Sequence, residues 1–123
     1  MSLYAAILQA IRTARETAGA EITYSRGASD VELTVVVGRT PFEQVNESGV
    51  VTRFESRDFL IPAAELILDA EQTLPATGDQ IREEVGDEVH VYELLENDGK
   101  PHWHYSDQFR TTIRVHTKHV ATE

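Results

Sequence analysis

The chain has 123 residues, 41% hydrophobic and 26% charged, a globular composition of the size of one compact domain. With no cysteine it has no disulfide, thiolate metal site or cysteine nucleophile. The net charge of −10 is uneven: between Glu55 and Asp98, 13 acidic residues face only Arg57 and Arg82, a net of −11 that leaves the remainder at +1. Such a surface repels a phosphate backbone, so sequence-specific nucleic-acid binding is not expected. Its acidity suits either a solvated face or a wall facing a basic partner or passing DNA. The apolar runs, such as Val35-Val36-Val37, are too short to span a bilayer, and no signal peptide is expected at the N-terminus. The expected location is the cytoplasm, away from membranes.

In chain order, Leu3, Ile7, Ala10, Ile11, Ala14 and Ala18 form one apolar stripe, which predicts an N-terminal helix over residues 1–19. Ser2 can cap its start and Gly19 its end. The period then changes to two. Ile22-Thr23-Tyr24 starts a strand, Arg26 to Asp30 reads as a turn, and Val31 to Val37 is the strongest β segment. Arg39 to Gly49, polar and containing Pro41, reads as a long loop. Val50 to Ile61 alternates again and stops at Pro62. Residues 63 to 69 suit one or two helical turns, or an extended edge. Pro75 to Asp79 is a turn into the strand Gln80 to Val85, and Gly86-Asp87 is a second turn before Glu88 to Leu94. Asn97-Asp98-Gly99-Lys100 is a hairpin signal. His102 to Tyr105 and Arg110 to Val120 complete the series, with Ile113 and Val115 on one face of the last strand and Arg114, His116 and Lys118 on the other. The expectation is a single mostly-β domain over 1–123. It is a small barrel or sandwich of six to seven antiparallel strands over 20–120, capped by one helix.

Candidate chemistry is sparse. His102 and His104 flank Trp103, and His116 and His119 lie on the last strand with Asp107 nearby. The last two differ in strand parity, no His-Glu-x-x-His helix is present, and no metal is assigned. Trp103 is expected to point inward, with His102 and His104 at the solvent edge. Paired carboxylates such as Glu83-Glu84 and Asp87-Glu88 lie mostly in or beside turns, where water keeps them from general acid–base work. No phosphate loop or nucleophile elbow occurs, so neither catalytic nor cofactor-binding residues are assigned. Three features suit contact with other proteins. They are the 39–49 loop (Arg39, Phe42, Glu43, Gln44, Asn46), the Gly78-Asp79-Gln80-Ile81 turn, and the basic face of the last strand (Arg114, Lys118). The turn has a structural reading too: Gly supplies an unusual φ, Asp caps, and Ile81 enters the core.

From Thr52 to Val120 these pieces, in this order, resemble small phage and prophage head–tail connector proteins of the stopper or head–tail joining kind. The stretches that carry the resemblance are Thr52-Arg53-Phe54-Glu55-Ser56-Arg57-Asp58-Phe59-Leu60-Ile61, Gly78-Asp79-Gln80-Ile81, Val91-Tyr92-Glu93-Leu94 and Ile113 to Lys118. Leu94 stands where that pattern has valine. The resemblance implies a non-catalytic virion protein, assembled in the bacterial cytoplasm, whose copies form a ring between portal or adaptor and tail. A mobile loop between early strands would match 39–49, and the acidic stretch would line a lumen through which DNA slides. The alternatives are a cytosolic β-barrel adaptor or ligand-binding module unrelated to phage, and an enzyme of unrecognised type. A deep pocket with a desolvated carboxylate would mark the enzyme.

Overall fold

The computed structural model describes residues 19–123. The helix expected over 1–19 therefore lies outside the described residues, apart from Gly19, which opens the first strand. The strands are β1 (Gly19–Arg26), β2 (Ser29–Val45), β3 (Val51–Pro62), β4 (Ile67–Leu68), β5 (Glu71–Gln72), β6 (Gln80–Val85), β7 (Glu88–Leu94), β8 (Glu96–Asn97), β9 (Lys100–Pro101), β10 (Trp103–Tyr105) and β11 (Thr112–Thr122). Seven of them form one antiparallel sheet in the order β10-β11-β3-β2-β1-β6-β7. β11 also pairs with β7 along its second half, Thr117 to Thr122, after pairing with β3 along its first, Thr112 to Thr117. The hydrogen-bonded ladder thus returns to β11.

Period-two patterning places the core. Ile22 and Tyr24, Leu33 and Val35, Phe59 and Ile61, Ile81, Tyr92 and Leu94, and Ile113 and Val115 are all buried on the inner face. The expected face of β11 is the observed one. Residues 63–69 combine both expectations: a 3-10 turn spans Ala63–Glu65, and β4 then pairs with β5. Leu66 and Leu68 plug the core from this segment. Asn97-Asp98-Gly99-Lys100 forms the expected hairpin, with Asp98 and Gly99 both at positive φ (54° and 75°) as a two-residue turn of matching twist requires.

The loop expected over 39–49 is not a loop. β2 runs on to Val45 and pairs with β3 residue by residue, from Val36↔Leu60 to Val45↔Val51. Only Asn46 to Val50 turn. The sequence misleads here because this stretch is extended by its backbone ladder with β3 and carries no regular apolar face. Pro41 fits because, among the described residues, β2 has no ladder partner on the β1 side beyond Val36.

Candidate functional site

Two features stand out, and they are continuous with each other: an arm and the polar cluster at its root. β3 loses β11 as a neighbour beyond Arg57↔Thr117, and β2 loses β1 beyond Val36. Residues 37–45 and 51–56 are therefore a two-stranded ribbon with both outer edges unpaired among the described residues. Such a ribbon is marginal by itself in water. Phe42 and Phe54, directly opposite in register, stack at 5.2 Å on one face. On the other face Arg53 meets Glu43 at 2.9 Å, and Arg39 reaches Glu55 at 3.8 Å. Both ion pairs are exposed and add little to stability. At the tip Asn46 Oδ1 accepts from the Ser48 and Val50 amides, each at 2.9 Å, and builds the turn. Val45, Val50 and Val51 crown it at 66%, 55% and 50% exposure.

At the root, Asp58 is wholly buried on the sheet's outer face. It accepts hydrogen bonds from Thr40 on β2 and Ser56 on β3, from Arg114 Nε at 2.8 Å and from His116 Nδ1 at 2.8 Å. Burial pushes its carboxyl upward, but these donors together outweigh burial and hold it below its ordinary value. Arg114 also donates to the Arg39 carbonyl. Gly38 makes room for the guanidinium, since a Cβ there would lie 3.0 Å from Arg114 Nη2. His116, 3% exposed, is held below its ordinary pKa chiefly by burial; Asp58 pulls the other way, while His102 and His104 add repulsion. The ring centroids of His102 and His104 lie 4.4 and 5.3 Å from that of His116, and Phe42 packs against both His102 and His116.

Ser56, His116 and Asp58 are the residue types of a nucleophilic triad, but not its geometry. Both Ser56 and Asp58 approach the same ring nitrogen, Nδ1, at 3.3 and 2.8 Å, and Ser56 donates to Asp58 directly. A relay needs the two partners on opposite nitrogens. Nor do any three His, Asp or Glu side chains among the described residues form a metal-binding set. An open groove of about 720 Å³ runs over β1, β2 and β6, edged by Glu21, Glu32, Glu65, Glu84, Arg82 and Glu123; its carboxylates face water.

The residues singled out in the sequence are thus redistributed. Arg39, Phe42, Glu43 and Gln44 lie on the arm's β2 strand and Asn46 in its turn. Arg114 is committed to Asp58 and does not offer a basic outer face. Lys118 is exposed opposite Glu93 of β7. Trp103 packs against the core as expected and His104 is exposed, but His102 is half-buried against His116, not at the solvent edge. The Asp58 node escaped the sequence reading. Its only sequence signal is a lone carboxylate in an apolar strand segment, Asp58-Phe59-Leu60-Ile61.

The Gly78-Asp79-Gln80-Ile81 turn has the structural role its residues suggest. Gly78 has φ +89°, the Asp79 carboxylate accepts from the Ala76 amide at 2.9 Å, and Ile81 is wholly buried. Asp79 also receives the Tyr24 hydroxyl and a bidentate pair from Arg26 at 2.8 and 2.9 Å. A family model described as phage head-tail joining protein matches residues 1–123, the full length.

The chain belongs to the phage head-tail joining protein family. No curated protein matches it. Membership makes it a structural phage protein that meets other head and tail proteins. Within this joining protein, among the described residues, no helix is long and apolar enough to cross a membrane.

Proposed function

We propose that this joining protein is a non-catalytic component of a phage or prophage head–tail connector. Its copies form a ring between portal or adaptor and tail, and each engages its neighbours through the β2–β3 arm. The observation that carries this reading is the arm: a two-stranded ribbon whose edges are unpaired among the described residues, with an exposed valine tip. Unpaired edges accept a further strand, and exposed apolar residues gain free energy when covered. Heterologous contacts of one arm with the next copy close a ring when the rotation between copies is a whole fraction of a turn. The returning ladder is a small closed barrel in this reading, and a barrel body leaves the arm as the chief open edge. The acidic stretch from Glu55 to Asp98 suits a lumen wall, because it takes up no phosphate by counterion release and so lets DNA slide. Assembly would take place in the bacterial cytoplasm, and the product would remain in the virion.

The test is electron microscopy of the protein mixed with the portal–adaptor complex of its own phage. Wild type should add a ring of density. Val45→Asp/Val50→Asp, which alters only the exposed tip, should fold normally and add none. An intact ring with the double variant would sink the arm's role, and no ring with wild type would sink the connector reading.

A further inference from the structure

We propose that the buried Asp58 node, with Arg114 and the histidines 102, 104 and 116, is an acid-released clamp that sets the direction of the β2–β3 arm. Position is the first ground. Asp58 gathers Thr40 from β2, Ser56 from its own strand, and Arg114 and His116 from β11, at the level where both arm strands lose their outer neighbours. Arg114 doubles the tie through the Arg39 carbonyl, across the gap left by Gly38. Beyond Val37, which packs against the core at the arm's base, Phe42 carries the arm's ring contacts to the body and rests on His102 and His116. The arm's angle therefore depends on this cluster.

The second ground is composition. The rings of His102 and His104 lie 4.4 and 5.3 Å from that of His116, which itself meets a single carboxylate already matched by a guanidinium. Among the described residues, the charged groups facing His116 are Asp58 from β3 and Arg114 and Lys118 from β11. Glu93 of β7 lies opposite Lys118, and the β8–β9 hairpin leading into His102 carries exposed Glu96, Asp98 and Lys100. β2 contributes Thr40 and Phe42 to this face and no charge. Without a charged imidazole the node has one cation, Arg114, for one anion, Asp58. An imidazole protonated in this cluster adds a further cation beside the buried Asp58–Arg114 pair in a desolvated site, where like charges repel strongly. The cheapest relief is to part His102 and His104 from His116, and Phe42 and the arm go with them. Burial holds the His116 pKa below its ordinary value, in keeping with a node built for the neutral imidazole.

The chain lacks cysteine, so single labels are readily placed. The full chain carrying Glu47→Cys at the tip and Asp87→Cys on the body, both spin-labelled, reports arm direction as a distance distribution. At pH 7.5 the distribution should be narrow, and it should broaden at least twofold by pH 5 with circular dichroism unchanged. His102→Gln/His104→Gln should keep it narrow at pH 5. Asp58→Asn should broaden it at both pH values; should that variant unfold, the histidine variant still decides. An unchanged distribution in wild type between pH 7.5 and 5, or a response that persists in the glutamine variant, overturns the clamp. Because the assay uses the chain alone, its result is independent of whether a ring forms.

Discussion

Replacing Asp79 by alanine tests whether the Gly-Asp-x-Ile element acts through folding alone. Asp79 is 1% exposed and anchors Tyr24, Arg26 and the Ala76 amide. Tyr24 is wholly buried, so its hydroxyl loses a partner that water cannot replace, at about 1–3 kcal/mol. Burial and the Asp79 carboxylate both drive the Tyr24 phenol well above its ordinary pKa, so it remains a neutral donor at any working pH. The Arg26 side chain is 37% exposed and rehydrates when the carboxylate is lost, so its pair adds only about 0.5–1 kcal/mol. The freed Ala76 amide adds about 1 kcal/mol, as a lost cap does. Together these come to about 2.5–5 kcal/mol, a drop in Tm of roughly 10–20 °C for a chain of this length. Asp79→Asn keeps an acceptor for Tyr24 and Ala76 and should cost about 1–2 kcal/mol. Urea titration of both variants, followed by circular dichroism, reads these directly. An Asp79→Ala protein as stable as wild type but defective in assembly would refute the reasoning and make the turn a contact surface.

Two further outcomes follow from the arm and its root. Phe54→Ala removes the partner of Phe42 across the ribbon and should cost about 1 kcal/mol. Hydrogen exchange should then quicken at amides 39–45 while those of Ile81 and Val115 stay protected; uniform quickening would mean the arm is part of the core. Stability should fall on acidification. Burial holds folded His116 below the ordinary 6.5, so from about pH 6.5 downward the unfolded chain takes up this proton first and stability declines until the folded imidazole is also protonated. Asp58, held below 3.8, stabilises above about pH 4, and that contribution is lost as pH falls through its folded value. A urea midpoint unchanged between pH 7.5 and 5 would contradict the His116 placement.

The alternating apolar residues of β1, β6, β7 and β11 and the turn residues between them were legible in the sequence, because each strand must bury one face and each tight turn must admit positive φ. Ile81 and the Asp98-Gly99 hairpin are cases where local chemistry leaves one answer. The family pattern was legible for the same reason, since it is made of those turns and strands. The arm was not. Residues 39–45 carry no burial signal, and their extended conformation comes from hydrogen bonds to residues 51–57, which local pattern cannot reveal. The Asp58 node was hidden more deeply: Asp58, Arg114 and His116 are 56 and 58 positions apart, and only the β3–β11 register brings them together. Sequence determined which apolar residues go inside, since apolar burial acts on each residue by itself. Tertiary structure alone decided which buried polar groups meet, because a hydrogen bond depends on two residues at once and the chain between them places no local mark on either.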